Sequence, residues 1–132
     1  MEEKNIALAG LLFDFALVTK ALHWTVRGND ALPLHEQLDE LFDDLISYAD
    51  RLFEDAFAND DNVSFDASLK SPANLISTEE VITFLKSTLA RVIEVTEQEG
   101  VDKGRRGTAN IVDDVAEGLT NWLYLFKLYD TP

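Results

Sequence analysis

The sequence predicts an all-α chain folded as a four-helix bundle. Apolar residues recur in alternating steps of three and four along four separate stretches, the period of a helix with one buried side. Clusters of Gly, Asn, Asp and Pro fall between those stretches, where turns belong. With 132 residues and 46% hydrophobic content there is material for one buried core and not for two, so residues 1–132 make a single domain.

Helix one carries Leu8, Leu11, Phe15, Val18 and Leu22. Gly28-Asn29-Asp30 with Pro33 marks a short turn, so helix two, with Leu34, Leu38, Leu41, Leu45, Tyr48 and Leu52, returns antiparallel to it. At about 100° per residue a second apolar stripe of Phe42, Ile46, Ala49 and Phe53 lies beside the first. A bundle helix needs one buried face, so the second predicts a partner, and His35 projects on that same side. From about Ala58 to Ser77 the chain is rich in Asn, Asp and Ser and is broken by Pro72, a connection too long for a simple turn in a compact domain. A crossover along the bundle explains its length, with Phe65 and Leu69 on a short helical turn. Helix three carries Ile82, Leu85, Leu89 and Val92. Gly100 to Gly107 separates it from helix four, which carries Val112, Val115, Leu119, Trp122 and Phe126, with Thr108 placed to cap the first turn. Two tight hairpins joined by a long crossover between helices two and three run up, down, down, up, the ferritin-like arrangement.

Composition removes several function classes. The chain has no cysteine, which excludes disulfides, thiolate zinc sites and cysteine nucleophiles. Its net charge of −14 repels phosphate backbones, so DNA binding is not expected. Such acidity either keeps the protein soluble or concentrates cations at its surface. The start, Met-Glu-Glu-Lys, lacks the features of a secretory signal, and no apolar run is expected to approach the ~20 residues of a membrane span. The expectation is a soluble, cytoplasmic protein without membrane association.

The chemistry lies in His23, His35, Asp50 and Glu54. The two histidines are the only ones in the chain, and the four residues are separated by eleven, fourteen and three positions. Two imidazoles with two carboxylates form a nitrogen and oxygen donor set suited to a redox-active first-row metal such as iron. Asp50 and Glu54, at i and i+4, share one face of helix two and can hold one ion between them. His35 stands fifteen residues earlier on the same helix, ~22 Å away at 1.5 Å per residue, so it cannot join them within one chain. The short hairpin brings His23 near His35. If helix two pairs antiparallel with helix two of a second copy, each His35 end lies over the Asp50 and Glu54 end of its mate. That gives two equivalent sites per dimer, with the axis near Phe42 and Ile46.

The runs Leu22-His23-Trp24-Thr25-Val26-Arg27-Gly28, Leu34-His35-Glu36-Gln37-Leu38-Asp39-Glu40 and Tyr48-Ala49-Asp50-Arg51-Leu52-Phe53-Glu54 resemble the signature of the Dps proteins, the miniferritins named for DNA protection during starvation. The close match covers about Leu22 to Glu54, and the helix pattern fits over the whole chain. The resemblance implies a hollow homo-oligomer, a dodecamer, whose sites at the dimer interface oxidise Fe(II), typically with hydrogen peroxide in preference to oxygen, and store Fe(III) mineral inside. It implies that His23, His35, Asp50 and Glu54 are the iron ligands, that Asp39 is a carboxylate close to the site, and that Trp24 is an oxidisable aromatic beside it. Three departures stand out. Only a few residues precede helix one, where many of these proteins carry a Lys-rich extension for DNA. The Gly-rich stretch usual after the Glu is here Asp55-Ala56-Phe57-Ala58-Asn59-Asp60-Asp61. An Asp often found at the ion pore is Asn110, with Asp113, Asp114 or Glu117 as substitutes.

Each residue also has a plainer reading. A lone histidine near a helix end is more often a surface or capping residue, and Asp50 with Glu54 alone would be a solvated face. Trp24 alone fits a core, and Asp39 fits a pair with a Lys or Arg. The acidic run Glu36, Glu40, Asp43 and Asp44 either nucleates mineral on a cavity wall or is simply a polar face. Lys103, Arg105 and Arg106 are too few to overcome the net charge and read as a loop and interface feature. A ferroxidase therefore leads. A Dps-like shell with a structural or DNA-associated role, and a metal-free acidic interaction module, are the alternatives.

Overall fold

The computed structural model describes residues 2–59, 77–98 and 105–129, and among these it is all-helical. Four helices, α1 (Glu2–Thr25), α2 (Ala31–Asn59), α3 (Thr78–Gln98) and α4 (Arg106–Lys127), all contribute to one core. The long connection with Phe65, Leu69 and Pro72 lies outside the described residues, as do Gly100 and Lys103.

The first hairpin forms for local reasons. Gly28 has φ 114° and Asp30 has φ 68°, left-handed conformations that reverse the chain between α1 and α2. Pro33 sits in the first turn of α2, where its missing N–H has no helical acceptor to lose. Ser77 caps the start of α3: the Glu80 N–H donates to Ser77 Oγ at 3.2 Å, and the Ser77 hydroxyl donates to the Glu80 carboxylate at 2.8 Å. The Thr78 N–H donates to the Arg27 carbonyl, which fixes the beginning of α3 beside the end of α1.

α4 runs antiparallel to α2, and a series of polar contacts defines the register. Thr108 meets Asp55, Asp114 meets Arg51, Trp122 meets Asp44 and Tyr129 meets Gln37. At Gly118 the helices approach so closely that an added Cβ would collide with the Tyr48 hydroxyl. The expected capping role of Thr108 is corrected: the N-cap position is Arg105, whose side chain does not cap the helix, and the buried Thr108 hydroxyl donates at 2.7 Å to Asp55 on α2.

Two core assignments also change. On α2 the inward position is Ala49, 2% exposed, while the larger Tyr48 is half-buried against α4. Phe42, Ile46 and Phe53 of the second stripe stay partly exposed, leaning on the core from outside. On α1 the expected Leu11 and Val18 are half-buried, whereas Asn5, Ala9, Leu12, Ala16 and Thr19 are fully enclosed. The reason is that α1 is apolar on nearly every side, so periodicity cannot pick its inner face. Against the expectation of no long apolar run, Lys4–Thr25 is long and apolar enough to cross a membrane by length and composition, although Asp14 and Lys20 interrupt it. In this fold it packs on α2 and α3 as a core helix.

Candidate metal centre

His23 closes α1 and His35 stands in the second turn of α2, so the hairpin turn brings them face to face. Their rings stack with centroids 3.7 Å apart and planes 15° from parallel. The last carbonyls of a helix have no partner in their own helix, and the His23 carbonyl is one of these. His35 Nδ1 bonds to it at 2.6 Å, and His23 Nδ1 bonds in return to the His35 carbonyl at 2.6 Å. A carbonyl oxygen only accepts, so each Nδ1 is the donor and carries the ring proton. This leaves Nε2 of both rings with its lone pair available. A ring held through Nδ1–H by a backbone carbonyl is the usual arrangement of a metal-binding histidine.

Asp39 does not stand free beside the pair. Lys20 Nζ donates to its carboxylate at 2.5 Å, and this hydrogen bond, opposed by partial burial and helped by the charge of Lys20, holds the Asp39 carboxyl below its usual range. The plainer reading of Asp39, a partner for a basic residue, is the geometry observed in the single chain. Sequence reasoning missed Lys20, although its place three residues before His23 puts it on the same helix face. Its ammonium lies 5.0 Å from the Phe42 ring centre and 5.9 Å from that of Trp24. Trp24 is no core residue: it is 64% exposed.

Toward the far end of α2, Asp50 and Glu54 are both exposed. A hydrogen bond with Asp50, then its charge, and then slight burial push the Glu54 carboxyl above its usual range. The nearest base in sequence, Arg51, is turned toward α4, where it pairs with Asp114 at 3.1 Å. Two like charges thus share one face, and among the described residues neither has a cationic partner. Beside them opens a groove of about 160 Å³, lined by Phe13, Ile46, Ala49, Asp50 and Phe53. Phe13, from α1, was the other residue that the sequence reading left unassigned.

The site residues therefore fall into two halves at different levels of α2. Among the described residues, no three His, Asp or Glu side chains converge as a metal-binding group within a single chain. Of the acidic run, Glu36, Glu40 and Asp43 are exposed, but Asp44 is engaged: the Trp122 indole N–H donates to it at 2.7 Å. On the far side, Asp113, Asp114 and Glu117 line open grooves along α4, while Asn110 is exposed in its second turn. Arg105 is half-buried and Arg106 exposed at the start of that helix. No protein-family model matches this sequence.

Proposed function

We propose that the protein is a cytoplasmic miniferritin of the Dps type, a ferroxidase that oxidises Fe(II) with hydrogen peroxide and stores the Fe(III) product inside a homo-oligomeric shell, a dodecamer built from two-fold dimers. The observation that carries this reading is the His23 and His35 pair. Each ring is fixed through Nδ1 by the other's backbone carbonyl and keeps an Nε2 lone pair for a metal. Supporting it are the carboxyls of Asp50 and Glu54, which share one helix face without a cationic partner among the described residues and whose interaction pushes the Glu54 carboxyl upward, a second donor group that a cation would stabilise in its ionised form. The ferritin-like topology is supported by the helix ends: the chain leaves α2 beside the start of α4 and enters α3 beside the end of α1.

In this reading Fe(II) is substrate. His23 and His35 of one copy and Asp50 and Glu54 of its mate hold it, the neutral imidazoles leaving coordination positions open and the carboxylates favouring the higher charge of the product. Two Fe(II) ions each give up one electron and one peroxide accepts both, its O–O bond breaking to oxygens at the level of water. Paired delivery of the electrons avoids the hydroxyl radical that a one-electron reduction would release.

The test is anaerobic addition of Fe(II) and then peroxide to the purified protein, following ferric absorbance and sizing the product on a column. The expected outcome is oxidation faster than in buffer, by a large assembly, and lost in His35→Ala and Asp50→Asn. A small oligomer that oxidises iron no faster than buffer would remove the proposal.

A further inference from the structure

We propose that Gly28 and Asp30 are positioning residues of the metal centre. Their left-handed backbone ends α1 early enough to release the His23 carbonyl to the His35 ring, and this fixes which nitrogen of each imidazole carries the proton. The inference rests on the metal-binding reading of His23 and His35 given above and concerns what makes those rings ligands.

In an unbroken helix each carbonyl accepts the N–H four residues on, which for His23 is the N–H of Arg27. α1 stops at Thr25 instead. Gly28, at φ 114°, and Asp30, at φ 68°, turn the chain back. The Ala31 N–H donates to the Gly28 carbonyl at 3.1 Å, and the Leu34 N–H to the Asp30 carbonyl at 3.1 Å, so α2 begins at once. The carbonyls around His23 have partners of their own. The Arg27 guanidinium donates to those of Trp24, at 3.2 Å, and Val26, at 2.8 Å, and the Thr78 N–H donates to that of Arg27 at 3.1 Å. The His23 carbonyl is left to His35 Nδ1 at 2.6 Å, and the same closure sets the His35 carbonyl against His23 Nδ1 at 2.6 Å.

The proton position is therefore imposed. A neutral imidazole in water carries its proton mainly on Nε2, the nitrogen that a metal needs bare in this pair. A backbone acceptor at Nδ1 reverses that preference, and here it does so in both rings at once. The turn can be altered without touching the rings. A Cβ at Gly28 would meet nothing closer than Thr78 Oγ1 at 3.7 Å, so Gly28→Ala acts through the backbone angle and not through a clash. At Asp30 a glycine fits the left-handed angle freely, whereas a β-branched residue fits it poorly. Asn29, between the two, lies outside the left-handed region and serves as the control.

The chain has two histidines, so histidine labelled with nitrogen-15 gives a ring-nitrogen spectrum free of other sources. Solid-state NMR of the purified protein, at a pH where both rings are neutral, should show a protonated Nδ1 and a bare Nε2 in each ring. Asn29→Ala and Asp30→Gly should give the same spectrum. Gly28→Ala and Asp30→Val should return the rings toward the solution mixture, in which Nε2–H predominates, at unchanged helix content by circular dichroism. Co(II), used alone as the probe, should bind those two variants roughly ten to a hundred times more weakly than the parent. Loss of helix in Asp30→Val leaves Gly28→Ala to decide. Nε2–H rings in the parent, or a folded Gly28→Ala with the parent's tautomers, overturn the proposal whatever happens to Co(II) binding. The tautomers are read without iron, which separates the two proposals. A turn that controls them in a protein that fails to oxidise Fe(II) leaves the positioning role standing and the ferroxidase fallen; oxidation by a parent whose tautomers ignore the turn does the reverse.

Discussion

At the residue scale, two buried or paired polar groups make contrasting contributions. Asn5 of α1 is fully enclosed, and among the described residues neither its amide nitrogen nor its amide oxygen has a hydrogen-bond partner. A buried polar group left unmatched costs about 1–3 kcal/mol, and replacing it with an apolar group removes that cost. Asn5→Leu should therefore raise the stability of the fold by about 1–3 kcal/mol, read as a higher urea midpoint at unchanged slope. Asp39 behaves oppositely. Its folded carboxyl is held below the ordinary 3.8, chiefly by the hydrogen bond from Lys20. A carboxylate with a depressed folded value stabilises the native state above the unfolded pKa, and that contribution disappears as pH falls from 3.8 through the folded value. A carboxyl-carbon NMR titration should place the Asp39 midpoint below 3.8, and Lys20→Met should move it upward. A midpoint that does not respond would mean that Lys20 is not its controlling partner.

At the scale of elements, the α2 and α4 contact is held by polar links spaced along its length. The buried Trp122 donates its indole N–H to Asp44, which lies 78 residues away in sequence. Asp44→Ala leaves that donor buried and unpaired, so it should cost about 1–3 kcal/mol in chemical unfolding, and Trp122→Phe in the same background should recover most of the loss. No local pattern announces this bond, and the same holds for Thr108. Its position near a helix start invites a capping role, yet its partner is Asp55, on another helix. The helices themselves were legible because steps of three and four survive any choice of neighbour. Their inner faces were less so: Tyr48 and Ala49 are adjacent, and only the close approach of α4 at Gly118 decides which turns inward. In the candidate site, the spacing of His23, His35, Asp50 and Glu54 sufficed to separate the two halves, because the rise of a helix is fixed. The reciprocal Nδ1 bonds to the two carbonyls were not legible, since they depend on the phase at which the hairpin closes.

At the scale of the whole molecule, the two halves of the donor set decide what kind of assembly could be active. His35 and Asp50 lie ~22 Å apart along one helix, so a complete site requires imidazoles from one chain and carboxylates from another. This arrangement permits a test in which two inactive proteins restore each other. One variant carries His23→Ala and His35→Ala and keeps its carboxylates; the other carries Asp50→Asn and Glu54→Gln and keeps its imidazoles. Alone, each should oxidise Fe(II) no faster than buffer. In a mixed dimer one site combines both sets of substitutions and is dead, while the other combines both intact halves. Unfolding the two variants together in equal amounts and refolding them makes half the dimers mixed, so roughly a quarter of all sites should be intact and roughly a quarter of the parent rate should return. The recovered rate should scale with the product of the two variants' fractions as their ratio is changed. A mixture that stays inactive, although mass spectrometry finds mixed dimers in it, would show that the imidazoles and carboxylates do not serve one site across the interface.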